Sequence, residues 1–174
     1  MQPNRDIKNE FMYHRLVSSV VKAVSYANAK NPRYEIRVIE AYRTLERQNY
    51  LYSKGRTKDG SVVTHAQGGE SYHNYGAAID IGIFDKRNGS YKTNGNLYRG
   101  AEKVFNNFGL NYLRSSDLAH FQIATELDLP SIYKKKIKEG WEHSEAVDFI
   151  HIELDREFSL LRYWQDKTDF RLEI

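Results

Sequence analysis

His73 and Asp80 share the stretch Ser71-Tyr-His73-Asn-Tyr-Gly76-Ala-Ala78-Ile-Asp80, and Asp117-Leu-Ala-His120-Phe-Gln122 follows further along the chain. Asp80 lies inside the apolar run from Ala77 to Phe84, which reads as a buried strand. A carboxylate in such a strand is costly unless something pairs with it. A metal ion is one such partner. Two histidines and one aspartate hold a zinc ion and leave a coordination position open, which is what metal-assisted hydrolysis needs. Gly76 lets the backbone turn between His73 and the strand of Asp80. His120 begins another strand and completes the set from the neighbouring position. Asp117, three residues before His120, can stand beside the metal without ligating it and take a proton from water.

Each residue also has a structural alternative. His73 alone reads as a loop histidine with its hydrogen bonds satisfied, and Asp80 alone as a turn cap or the partner of an arginine. Asp-x-x-His recurs at Asp148-Phe-Ile-His151. There His151 shares a helical face with Val147, Leu154 and Phe158, which favours a packing role.

The elements that must position these residues follow from periodicity and turn chemistry. Ile7 to Ala29 reads as an amphipathic helix ended by Asn31-Pro32. Tyr34, Ile36 and Val38 alternate with Glu35 and Arg37 as a half-buried strand. A short helix follows with Thr44 as N-cap, Glu46 in its first turn and an end near Gly55. Gly55 to Tyr72 is a polar loop with a short strand at Val62-Val63. Asn88-Gly89 marks a turn. Leu97, Ala101, Val104, Phe105 and Phe108 form a helical stripe closed by Gly109. Phe121 to Ala124 is a strand, with Phe121 and Ile123 facing away from His120 and Gln122. A tail helix is expected from an N-cap at Ser144, with Val147, Ile150, Leu154, Phe158 and Leu161 on one face. The class is α+β: one zinc-site domain over residues 1–140, with mostly antiparallel strands, and a helical extension over 141–174 packed on it.

The bulk numbers narrow the partners. At 174 residues the chain can bury a real core, to which 13 tyrosines and 8 phenylalanines contribute. Cysteine is absent, so a metal site must use histidine and carboxylates. The net charge is +3 and the pI about 8.9, with charges interspersed. That suits an anionic polymer such as a cell wall, and no basic stripe of the nucleic-acid kind is present. No apolar run approaches a membrane span, and Met1 to Glu10 lacks the apolar core of a signal peptide.

The pattern Ser-x-His-x-x-Gly-x-Ala-x-Asp followed by Asp-x-x-His resembles the zinc peptidases of bacterial cell walls, the D-alanyl-D-alanine carboxypeptidase and L-alanyl-D-glutamate endopeptidase group. It is matched at Ser71, His73, Gly76, Ala78, Asp80, Asp117 and His120. Tyr42-Arg43-Thr44, Gln48, Leu51-Tyr52, Gly55-Arg56-Thr57 and the run from Val63-Thr64 through Gly68 extend the resemblance over roughly residues 10 to 140. It implies a small antiparallel sheet with flanking helices, as in the hedgehog/DD-peptidase fold. It implies one zinc ion on His73, Asp80 and His120, with Asp117 as catalytic base. It implies that Arg43 reaches the substrate, at a carboxylate or at the carbonyl oxygen under attack, as a fork of donors can. The alternative for Arg43 is a salt bridge to Glu40 or Glu46. Gln48 and Ser71 are expected to hold substrate backbone or the ligands, or else to cap locally, and Arg56 to order its own loop. One departure stands out. Endopeptidase relatives carry a Trp-Gly-Gly type stretch before the last histidine, whereas Gly109 to Asp117 has no tryptophan and no further glycine and reads as a shortened loop.

The resemblance implies a monomeric hydrolase of peptidoglycan stem peptides, most simply at the L-alanyl-D-glutamate bond. The alternatives are a D-alanyl-D-alanine carboxypeptidase and a catalytically silent, zinc-stabilised wall-binding module. Action in the cell wall or periplasm without a leader implies endolysin-type release, delivery by a secretion machine, or a removed leader.

Overall fold

The structure is a computed structural model, described here for residues 3–112 and 117–169. The chain divides into two compact units, Met1–Ala124 and Thr125–Ile174. In the first, helix α1 (His14–Lys30) leads into strand β1 (Tyr34–Glu40) and helix α2 (Leu45–Ser53). A 3-10 turn (Tyr72–Tyr75), strands β2 (Ala78–Asp85) and β3 (Tyr91–Lys92), helix α3 (Gly95–Asn106), and strands β4 (Leu110–Tyr112) and β5 (His120–Ile123) follow. The strands form one antiparallel sheet in the order β1-β2-β5-β4, with β3 on β2. The fold class is the expected α+β.

Strand β2 shows why the sheet has two different faces. Ile79, Ile81 and Ile83 are buried on one face, while the alternate positions carry Ala78, Asp80, Gly82 and Phe84. Helices α1 and α3 bury Leu16, Val20 and Ala23, and Tyr98, Ala101 and Phe105, in the core of this unit. Phe105 meets Phe121 of β5 with ring centroids 4.5 Å apart. Each such aliphatic or aromatic side chain contributes about 1.5–3 kcal/mol when fully buried. Asp80 faces the other way, so the helices secure the sheet while leaving its second face for chemistry.

Strand β1 contains a bulge. Ile36 pairs with Ile83 and Val38 with Ile81, but Glu40 pairs with Asp80. Strict alternation would put Glu40 opposite Ile79, on the core face. One extra residue, Ile39, turns it to the face of Asp80.

Several elements differ from the sequence expectation. Helix α1 begins at His14 and not near Ile7. The side chains of Asn4, Asp6 and Asn9 accept hydrogen bonds from Asp6 N, Lys8 N and Phe11 N, and these local turns displace the helix. Val62 and Val63 form no strand; both are exposed in a loop without a sheet partner. Strands β3 and β4 are too short to show a period. Helix α2 has the expected cap, with Thr44 Oγ1 accepting from Arg47 N at 3.2 Å. The loop expected to be shortened before Asp117 lies largely outside the described residues.

The second unit pairs helix α4 (Leu129–Lys138) with helix α5 (His143–Asp169). Asp128 caps α4 by accepting from Ser131 N at 3.2 Å, and Pro130 sits in its first turn. Leu129 and Tyr133 of α4 and Ala146, Val147, Ile150 and Leu154 of α5 are buried. Helix α5 starts just before Ser144, the expected cap. Residue 140, the expected end of the first domain, falls between these two helices. No helix among the described residues is long and apolar enough to cross a membrane.

Candidate metal centre

Three pieces of chain bring the chemistry together. The β2–β5 register sets Asp80 directly opposite His120, and Ile81 N donates to Ala119 O at 2.9 Å to hold that register. A slip of either strand by one residue would turn its side chain to the core face and part the pair. His73 comes from the 3-10 turn. Asn74 laces that turn to its neighbours, donating to Arg43 O at 2.7 Å and accepting from Gly69 N at 3.0 Å. Arg43 N donates to His73 O at 3.0 Å. Gly76 closes the turn at φ 63°, where a Cβ would stand 1.8 Å from Phe11 O. Only glycine fits both that conformation and that contact.

His73 Nε2 lies 3.2 Å from Asp80 Oδ1 and 3.2 Å from His120 Nδ1, and His120 Nδ1 lies 3.4 Å from Asp80 Oδ1. The three atoms form a nearly equilateral triangle. Ligands at zinc bond lengths of about 2.0–2.1 Å in a tetrahedron stand about 3.3 Å apart, so the donor set fits such an ion. The far side of each ring supports the same reading. His73 Nδ1 faces Ala41 O at 2.7 Å, which can only accept, so Nδ1 carries the proton and Nε2 offers its lone pair. His120 Nε2 faces Gln122 Oε1 at 3.1 Å, which leaves Nδ1 as the donor atom. Among the described residues, His73, Asp80 and His120 are the group of histidine and carboxylate that could hold a metal ion.

The electrostatics agree. Burial pushes the Asp80 carboxyl up, but positive charge and donated hydrogen bonds from His73 and His120, in the doubly protonated form the rings take without a metal, outweigh it and hold the group well below the usual carboxylate range. A cation beside Oδ1 would act in the same direction. The Glu40 carboxyl is also pushed up by burial, and it is lowered overall by its hydrogen bonds and ion pairs with Arg43 and Arg47.

Arg43 is 8% exposed and both of its terminal nitrogens are engaged inside the protein, while its Nε is buried with no partner among the described residues. One terminal nitrogen donates to Gln48 Oε1 at 2.9 Å; the other donates to Glu40 Oε2 at 2.6 Å and to Asp80 Oδ2 at 3.0 Å. The expected alternative, a salt bridge to Glu40, is therefore present, and Arg43 still borders the cleft over the triangle. Gln48 is fully buried and also donates to Ala66 O at 2.7 Å, tying helix α2 to the cleft loop. Ser71 opens the 3-10 turn and borders the cleft. Arg56 donates to Tyr52 O and, at 3.1 Å, to Thr64 O, ordering its loop. Asp117 is exposed on the same cleft, its Oδ1 accepting from Ala119 N at 3.1 Å. The cleft encloses about 360 Å³, with Val62, Val63 and His65 along one wall and Gln122 on its border.

Sequence reasoning missed three supports: the Ala41 carbonyl, the acceptor of Gln122 and the placement of Glu40. The alternation of β5 already put Gln122 on the face of His120. Nothing local signals the bulge that redirects Glu40.

A family model described as VanY, D-alanyl-D-alanine carboxypeptidase, matches residues 12–113. The chain belongs to the VanY family. The peptidoglycan L-alanyl-D-glutamate endopeptidase CwlK of Bacillus subtilis (strain 168) is 44% identical over 77 residues, which are 44% of this chain and 45% of CwlK. The match thus spans just under half of that relative. Among solved structures, the L-Ala D-Glu endopeptidase ChiX of Serratia marcescens superposes with a TM-score of 0.51 at 19% identity, covering 72% of this chain and 90% of ChiX. That likeness concerns the fold. A zinc-bound E175A mutant of the D,D-pentapeptidase VanY from a VanB-type resistance cassette gives a TM-score of 0.48 at 19% identity, over 78% of this chain and 83% of that one. The VanY-family match includes His73 and Asp80. His120 and Asp117 lie beyond it, brought to the site by the pairing of β5 with β2.

Proposed function

We propose that the protein is a zinc peptidase that hydrolyses peptidoglycan stem peptides between L-alanine and D-glutamate. The observation that carries this reading is the triangle of His73 Nε2, Asp80 Oδ1 and His120 Nδ1, each atom with its lone pair turned inward. CwlK, an L-alanyl-D-glutamate endopeptidase, supports the choice of bond. When bound, zinc supplies a Lewis acid and lowers the pKa of water towards about 7.

The chain's own residues do the rest. His73, Asp80 and His120 are the zinc ligands. Asp117, exposed on the cleft, is the general base: it accepts the proton of the attacking water and passes it to the leaving amine. Arg43 holds Asp80 from behind at 3.0 Å and adds positive charge beside the reacting carbonyl. Ser71 and the loop from Val62 to Ala66, anchored by Gln48, form the wall on which the peptide lies.

The test is mass spectrometry of defined stem-peptide muropeptides after incubation with zinc-loaded protein and with a chelated control. Chelator-sensitive cleavage between L-alanine and D-glutamate is expected. Release of D-alanine would instead assign the carboxypeptidase activity that the family description names. No cleavage by folded, zinc-bound protein would leave a silent wall-binding module.

A further inference from the structure

The bulge at Ile39 places a second carboxylate beside the candidate ligands. Glu40 pairs across the sheet with Asp80 and Asp80 with His120, so three strands present Glu40, Asp80 and His120 in one row. The Arg43 guanidinium lies between the first two, 2.6 Å from Glu40 Oε2 and 3.0 Å from Asp80 Oδ2. Arg47 Nε closes on the other Glu40 oxygen. None of these four side chains is more than 13% exposed. Charges so placed are only weakly screened by water.

This arrangement poses a conflict for a metal site. A guanidinium on one oxygen of Asp80 opposes a dication on the other. It also draws charge from the oxygen that must act as ligand. Glu40 offsets that positive charge, and with Arg47 it fixes where the guanidinium sits. We propose that Glu40 is a positioning residue for the metal: acting through Arg43, it holds the Asp80 carboxylate with Oδ1 towards the two histidines and offsets part of the positive charge behind it. The proposal rests on the reading of His73, Asp80 and His120 as zinc ligands.

Zinc affinity of the full chain, read by competition with a chromophoric chelator, tests it in four proteins: the wild type, Glu40→Gln, Arg43→Gln and the double variant. Glu40→Gln is expected to weaken zinc binding about 10- to 100-fold, as loss of a group that orients a ligand does. In the Arg43→Gln background the same change is expected to move affinity by less than about threefold, because the two residues act as one unit. Cobalt(II) in place of zinc adds a readout that a purely structural role would not move: the visible band of Glu40→Gln shifts with the altered Asp80 geometry. Unchanged affinity in folded Glu40→Gln, or an equal loss in both backgrounds, overturns the proposal. If Glu40→Gln does not fold, Glu40→Asp, which keeps the charge and withdraws it by one methylene, enters the same cycle and is decided by the same outcomes. A wild type that binds no zinc overturns the metal reading itself. That failure is distinct from one confined to Glu40.

Discussion

Asp117 and His120 stand three residues apart, yet their substitutions should fail in different ways. His120 supplies an inward lone pair 3.2 Å from His73 Nε2, so His120→Ala opens the triangle and should release zinc. Asp117 is exposed and supplies no ligand atom to the triangle. Asp117→Asn should therefore keep stoichiometric zinc by elemental analysis while turnover on muropeptides drops about 10²- to 10⁴-fold, the range of a lost general base. Near-normal turnover in Asp117→Asn would remove it from the mechanism. That these two residues meet at one cleft was legible from their spacing. Arg43 was legible only in part: its guanidinium chemistry and a salt bridge to Glu40 could be read from the sequence, but its bonds to Gln48 and Asp80 depend on the fold.

At the scale of elements, the 3-10 turn and the strand after it are the frame on which His73 hangs, and Gly76 is its tightest point. Gly76 and Gly89 both have positive φ, 63° and 68°, so alanine costs about 1 kcal/mol of backbone strain at either. They differ in their surroundings. A Cβ at Gly76 meets Phe11 O, whereas one at Gly89 meets nothing within 4 Å. Gly76→Ala should thus cost at least about 2 kcal/mol more than Gly89→Ala by urea denaturation of the metal-free protein, the overpacking penalty alone. Equal midpoints would show that the Phe11 contact yields freely. The elements that sequence reading found were long or well capped: the strand of Asp80, helix α2 behind Thr44, and the stripe of α3. Those it missed lack such signals. Helix α4 follows a strand with only Asp128 and Pro130 to mark its start, and β4 is too short to show a period. The start of α1 was misplaced because three polar side chains compete for the backbone ahead of it.

For the whole molecule, the question is how far the proposed zinc ion would contribute to holding the first unit together. The three proposed ligands come from a turn and two strands, and a binder that meets only the folded state stabilises it by mass action. Zinc at about a thousandfold over its Kd adds about 4 kcal/mol. Calorimetry with and without chelator should show the unfolding of the first unit shifting upward with zinc by roughly 10 °C. His120→Ala should abolish the shift. A wild-type transition indifferent to zinc would count against the ligand assignment. The charge of the chain bears on a different step. Residues 1–124 hold 18 of the 26 lysines and arginines but 11 of the 23 aspartates and glutamates. The excess of positive charge thus belongs to the unit with the cleft, as would suit the proposed substrate if it sits in an anionic wall.

The two histidines of the triangle are also unequally exposed to evolutionary drift. His73 is oriented by the carbonyl of Ala41, an atom that every amino acid carries. No codon change at 41 can delete it, so the orientation of that ring is insured by the path of the chain. His120 is oriented by the side chain of Gln122, which a single substitution can rewrite. Variation that retunes metal preference or water acidity among descendants of this chain should therefore accumulate at 122 and leave 41 silent.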